Sequence, residues 1–214
     1  GTWTLSADNS TTFTGKTSIG NGTIEISSES NLGAAPGTFV ANQLTLGGGS
    51  SNGTLKTTAT MSLSANRGVT LGAVGGTFET AAATTLTVDG VIAGTTGALN
   101  KTGAGTLVLT AANTYEGTTN VSAGTLQIGN GTTGSLTGTG GVNVTGVGKL
   151  SGSGSIAGST IIGSGAILAP GVGSDTNASN QTLTFTAVSS TLTVDNGAKI
   201  ELGITSATYQ AAGV

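Results

Sequence analysis

Part of this chain occurs twice, and that repetition limits its architecture more than any other feature. Gly1 to Asn9, GTWTLSADN, aligns with Gly105 to Asn113, GTLVLTAAN. After an inserted pair, Phe13 to Ile26, FTGKTSIGNGTIEI, aligns with Tyr115 to Ile128, YEGTTNVSAGTLQI. A repeat of this kind is one unit that cannot bury its apolar side alone and must stack on its neighbours. Within the second copy, Thr106 to Leu109 and Thr125 to Ile128 are alternating stretches nineteen residues apart, introduced by Gly105 and Gly124, with Gly117 at a turn between them. That is the spacing of one coil of a β-solenoid, whose parallel strands stack about 4.8 Å apart.

Comparing the copies separates inside from outside. Trp3/Leu107, Leu5/Leu109, Phe13/Tyr115, Ile19/Val121, Ile24/Leu126 and Ile26/Ile128 are all large and mostly apolar and read as pointing inward, while Thr4/Val108 and Glu25/Gln127 between them can be polar. Period-two alternation with one apolar parity describes a strand with one buried face. We therefore expect an inward ladder of Trp3, Leu5, Ile24, Ile26, Leu107, Leu109, Val121, Leu126 and Ile128, with turns at Gly105, Gly117 and Gly124. The expected fold is all-β, a single-stranded parallel β-helix with a right-handed coil. One elongated solenoid covers 1–214, with repeat copies at 1–27 and 105–128, glycine-rich narrow coils over 129–171, and longer strands over 182–204.

Composition agrees with an ordered rod. The chain has 214 residues, 39 of them glycine, yet the glycines have no collagen period and the apolar residues fall in regular short runs. Thr, Val and Ile suit strands, and Gly and Asn suit the turns between them. Hairpins are the other reading of the Asn-Gly pairs, but a meander does not explain the nested repeats. Ser28 to Gly37 and Gly173 to Asn180 read as loops, and Leu183/Phe185, Leu192/Val194 and Ile200/Leu202/Ile204 as a late inward set. At about twenty residues and about 4.8 Å per coil, the chain makes about ten coils and a rod of about 50 Å.

The same residues argue against most chemistry. Histidine and cysteine are absent, which removes histidine-based triads and the usual zinc ligands. No calcium-binding nonapeptide occurs, and we expect no catalytic residue, cofactor or metal. The nine acids read as solvated charges, although a coil could bring Asp8 near Glu25 or Asp89 near Glu116, as a glycosidase pair would need. Six basic residues, scattered singly, provide no face for nucleic acid. No apolar run approaches a membrane-spanning helix, so no membrane insertion by this segment is expected.

Gly-Ser-Gly-Ser at 152–155 and Gly103-Ala104-Gly105 superficially match phosphate loops, but no helix follows them. Thr-x-Thr pairs suggest an ice-binding ladder, yet their irregular separations argue against one file on one face. Asn-x-Ser/Thr sequons at Asn9, Asn21, Asn52, Asn120, Asn130, Asn143 and Asn177 follow from composition and leave glycosylation open.

GTLVLTAANTYEGTTNVSAGTLQI, followed by the glycine-rich stretch Gly134 to Gly171, resembles the autotransporter-associated β-strand repeat, PATR, of secreted bacterial surface proteins. Gly1 to Ile26 resembles it less closely. The resemblance implies a passenger segment exported by the autotransporter route and displayed outside the cell or on its surface, as stalk, spacer or adhesin scaffold. It brings no catalytic residues to carry over. Two other readings stay open: a fibre subunit forming a homopolymer through unpaired strand edges at the solenoid ends, and a carbohydrate-active β-helix. Host or glycan ligands are not identified by any residue.

Overall fold

The computed structural model describes residues 1–171, 182–186 and 189–202. It is a parallel β-solenoid with three faces. The long face is a nine-stranded sheet: Thr2–Leu5, Gly22–Ile26, Gly53–Thr57, Gly76–Thr80, Leu99–Thr102, Thr119–Val121, Val142–Val144, Thr160–Ile162 and Leu192–Val194. The second face has seven strands, from Met61–Leu63 through Thr106–Leu109 and Thr125–Ile128 to Lys199–Ile200. The third consists of two four-stranded sheets, which meet where Thr114 N–H donates to the Ile92 carbonyl and Glu116 N–H to the Gly94 carbonyl, both at 2.9 Å. The strands of Gly76–Thr80, Thr85–Val88, Ile92–Ala93 and Leu99–Thr102 trace one circuit through the three faces and back.

Coil length varies more than the regular spacing of the repeat suggests. The step between register partners on the long face is 18 residues from Asn143 to Ile161 and 31 from Thr23 to Thr54. The excess goes into corner loops, leaving the strands in register. Among the described residues nine strands stack on the long face, a span of about 40 Å.

One longer loop is an integral part of the wall. Ser28 to Gly37, read from sequence as a turn or protruding loop, folds into a short 3-10 helix, Glu29–Leu32, that buries Asn31 and Leu32. Ser28 Oγ accepts from Ser30 N–H, and Asn31 Oδ1 accepts from Ser27 and Ser28 N–H. This closes both backbone donors at the helix start. The helix packs against strands Gly22–Ile26 and Met61–Leu63. It thus lies beside the first strand of the second face, where an open edge would otherwise be.

The two repeat copies do not lie on the same face. Both outer strands of the first copy, Thr2–Leu5 and Gly22–Ile26, belong to the long face, whereas Thr106–Leu109 and Thr125–Ile128 of the second belong to the second face. In each copy the outer strands pair with one another, Thr2 with Thr23 and Thr106 with Thr125. Each copy is therefore one closed turn, and the two are offset by a third of a turn.

Trp3 requires a correction. It pairs with Ile24 and so has the inward parity, but on the end strand of its sheet among the described residues it is 75% exposed. The late inward set meets the same limit. Leu183 is buried, while Leu192, Val194, Ile200 and Leu202 are exposed near the other end. The strands of 182–204 are only two or three residues long in the described part, and Gly173–Asn180 and Ile204 lie outside the described residues.

Candidate functional surface

The inward ladder forms the base of any surface this rod presents. Leu107, Leu109, Val121, Leu126 and Ile128 are fully buried, Ile26 almost so, and Leu5 and Ile24 partly. The turn glycines stand where the backbone closes on itself. A Cβ on Gly105 would lie 2.1 Å from the Ala81 carbonyl oxygen, and one on Gly117 2.0 Å from that of Gly97. Gly124 has φ +64°, and a Cβ there would also meet the Gly105 carbonyl oxygen at 2.3 Å.

Two basic residues that sequence places among the scattered charges lie inside. Lys101 occupies the inward file between Phe78 and Val121, and its Nζ donates to the carbonyls of Thr102 and Gly103 at 2.7 Å and of Ala123 at 3.1 Å. Burial lowers its ammonium pKa to about 8, against a smaller upward pull from Glu79. Arg67 is also fully buried. Its Nε donates to Glu29 Oε1 at 3.0 Å and its Nη2 to the carbonyls of Gly33 and Ala34. Glu29 is thus a structural partner, since it also accepts from Ser64 N–H at 2.8 Å. Parity was the available signal for Lys101, which shares the inward phase of Leu99. Nothing local marks Arg67, whose partner is 38 residues away.

The acids that might have formed a catalytic pair have separate partners. Asp8 accepts from Ser10, Glu25 pairs with Lys56 at 2.9 Å, Asp89 accepts from Thr110, and Glu116 accepts from Thr139. Hydrogen bonds from Ser10 and Thr139 hold the Asp8 and Glu116 carboxyls below the usual range. A glycosidase acid needs the opposite shift. Among the described residues, no three His, Cys, Asp or Glu cluster as metal ligands.

What the rod does present is polar and ordered. Thr2, Thr23, Thr54 and Thr77 align in one outward file of the long face, followed by Asn100, Asn120 and Asn143. The Thr-x-Thr pairs themselves are divided between faces, Thr2/Thr4 on the long face and Thr85/Thr87 on the second, and beyond Thr2 this file is built from other threonines that the loops bring into register. The neighbouring file contains the Glu25–Lys56–Glu79 charges, so no two-file threonine array forms there. Asn120 Nδ2 donates to Asn100 Oδ1 at 3.0 Å, extending the ladder through side chains. The sequons at Asn120 and Asn143, and a further one at Asn100, have their Asn in the outward file of the long face; Thr102 shares its strand with Asn100, while Ser122 and Thr145 follow directly on the strand ends.

Two other features stand out from the regular wall. Loops 6–16 and 27–39 are joined by Asn9 Nδ2 to the Asn31 carbonyl, Asn31 Nδ2 to the Ala7 carbonyl and Ala34 N–H to the Phe13 carbonyl. Phe13, expected to point inward like its counterpart Tyr115, instead sits in a loop outside any strand and is exposed, and with exposed Phe39 it lies on this platform. On the second face, a groove of about 490 Å3 is lined by Thr125, Gln127, Lys149, Ser151, Pro170 and Glu201. Lys149 Nζ meets Glu201 Oε2 at 2.8 Å there, and this contact lowers the pKa of the Glu201 carboxyl.

Comparison with known proteins adds the context. Residues 1–26 and 99–128 match the Passenger-associated-transport-repeat, PATR. An alignment 137 positions long, covering 59% of this chain and 4% of the relative's length, is 44% identical to the Adhesin BmaC autotransporter of Brucella suis biovar 1 (strain 1330). No solved structure matches the chain. The chain therefore carries two segments that match this repeat, and it spans only a small part of the relative's length.

Proposed function

We propose that this chain is a surface-displayed, non-enzymatic segment of an adhesin passenger, in which the solenoid is the scaffold and the loop platform with Phe13 and Phe39 is the contact surface. The observation that carries this reading is the division of the molecule into two kinds of surface. Most of the wall is a short-rung ladder of small polar side chains, while the N-terminal coils devote Asn9, Asn31, Glu29, Asn66 and Arg67 to fixing one loop cluster from beneath. Loops held by a rigid scaffold are where binding residues concentrate. The similarity to an autotransporter adhesin supports the same reading.

Binding of the purified chain to immobilised host-cell surface and matrix preparations tests it. Retention that falls severalfold in a Phe13→Ala/Phe39→Ala double variant is the expected result. Retention equal in both proteins would move the contact surface elsewhere, and turnover of a polysaccharide would overturn the non-enzymatic reading. Electron microscopy of the same samples at rising concentration distinguishes single rods, the expected outcome, from uniform filaments, which would make the chain a fibre subunit.

A further inference from the structure

The corner between strands Thr125–Ile128 and Ser135–Leu136 contains the pair Asn130-Gly131 in an unusual setting. Asn130 Oδ1 accepts from Thr132 N–H at 3.3 Å, Thr132 Oγ1 at 3.1 Å, Thr133 N–H at 3.3 Å and Thr133 Oγ1 at 3.4 Å. The next amide, Gly131 N–H, donates to Ser153 Oγ of the following coil at 2.7 Å. Gly131 has φ +102°, and nothing lies within 4 Å of where a Cβ would be. An open depression of about 390 Å3, lined by glycine and hydroxyl side chains of this corner, gives water access to the turn.

We propose that Asn130-Gly131 is a self-modification site, at which the Asn130 amide is lost through a cyclic imide. The Gly131 nitrogen gives up its proton to hydroxide by way of the Ser153 hydroxyl and bonds to Asn130 Cγ. Negative charge develops on Oδ1, where the Thr132 and Thr133 donors already point. Donors fixed in place before charge develops lower such a barrier. The Cγ–Nδ2 bond then breaks, Nδ2 leaves as ammonia with a proton from solvent, and a five-membered imide remains. Water adds to either imide carbonyl, giving aspartate or isoaspartate, and no oxidant or reductant is involved. The aspartate product keeps the acceptor of the turn and adds one negative charge to a chain of net charge −3. The isoaspartate product lengthens the backbone at the corner.

The Asn-Gly pairs at Asn21 and Asn52 are less favourably built. Gly22 and Gly53 open strands Gly22–Ile26 and Gly53–Thr57 and are register partners on the long face, so their backbone is held in the ladder. The test is timed incubation of the full chain at mildly alkaline pH, followed by peptide mapping for amide-to-acid conversion and enzymatic methyl labelling of isoaspartate. Asn130 is expected to convert first, at a rate that rises with pH. Asn130→Gln should remove the fast component, and Ser153→Ala should slow it about fivefold, the effect of losing one hydrogen bond. Conversion of Asn21, Asn52 or Asn196 before Asn130, or an unchanged rate in Ser153→Ala, would overturn the proposal.

Discussion

A lysine in the core of a rod built from leucine, valine and isoleucine must have its charge met locally, and Lys101 is met by three carbonyls at one corner. Burial still costs the ammonium more than it costs a lysine in water, which is why its pKa falls from 10.5 to about 8. The folded state therefore releases this proton first. Between about pH 8 and pH 10.5 the unfolded chain binds more protons at this position, so stability rises with pH across that window and is flat below it. The slope from one such group cannot exceed about 1.4 kcal/mol per pH unit. Urea unfolding from pH 7.5 to 9.5 should show the rise in the wild type and not in Lys101→Met. Equal pH profiles would mean that the lysine reaches solvent. The window is kept below the range of Tyr115, a fully buried phenol whose pKa burial raises and whose hydroxyl bonds Thr119 at 2.7 Å.

At the scale of the element, the segment Ser28–Gly37 depends on a residue that contacts it from the next coil. Arg67→Met would leave the Glu29 carboxylate with only part of its shell and free the carbonyls of Gly33 and Ala34. Glu29 is partly exposed, so the loss falls below that of a fully buried pair broken on one side. Limited proteolysis should then cut within 33–42 in the variant at protease levels that leave the wild type whole; equal resistance would mean that the asparagine staples suffice. That this loop is a buried structural part was not legible in sequence, because Ser-Glu-Ser-Asn next to Gly and Pro has the composition of a surface turn and its partners lie far along the chain. What was legible depended on parity. Alternation identified the inside of Thr106–Leu109 and Thr125–Ile128, and the doubled segment identified a single turn. Parity says nothing about which of three faces a strand joins, and so the third-of-a-turn offset between the copies stayed hidden. It also cannot tell an end strand from an internal one, which is why Trp3 has the inward phase and remains exposed.

For the whole molecule, the consequence of stacking is that each coil contacts mainly its neighbours, and stability should resemble a sum of coils and their interfaces rather than one indivisible core. Leu126 tests this because it is fully buried in a file between Leu107 and Leu150 near the middle of the second face. A carboxylate there has no partner in the file, and burying an unpaired charge costs several kcal/mol. In Leu126→Asp, hydrogen exchange should accelerate at the amides of Leu107, Val121 and Leu150, while those of Leu55 and Phe78 several strands away keep most of their protection. Such a gradient would locate the disruption in the second repeat copy and leave the loop platform at the first copy intact. It would also explain how a long passenger could tolerate local damage in one coil while still presenting the coils beyond it. Uniform loss of protection across the nine strands of the long face would instead make the rod a single cooperative unit. In that case the platform would depend on every coil of the ladder, and a defect anywhere along it would abolish the contact proposed for Phe13 and Phe39.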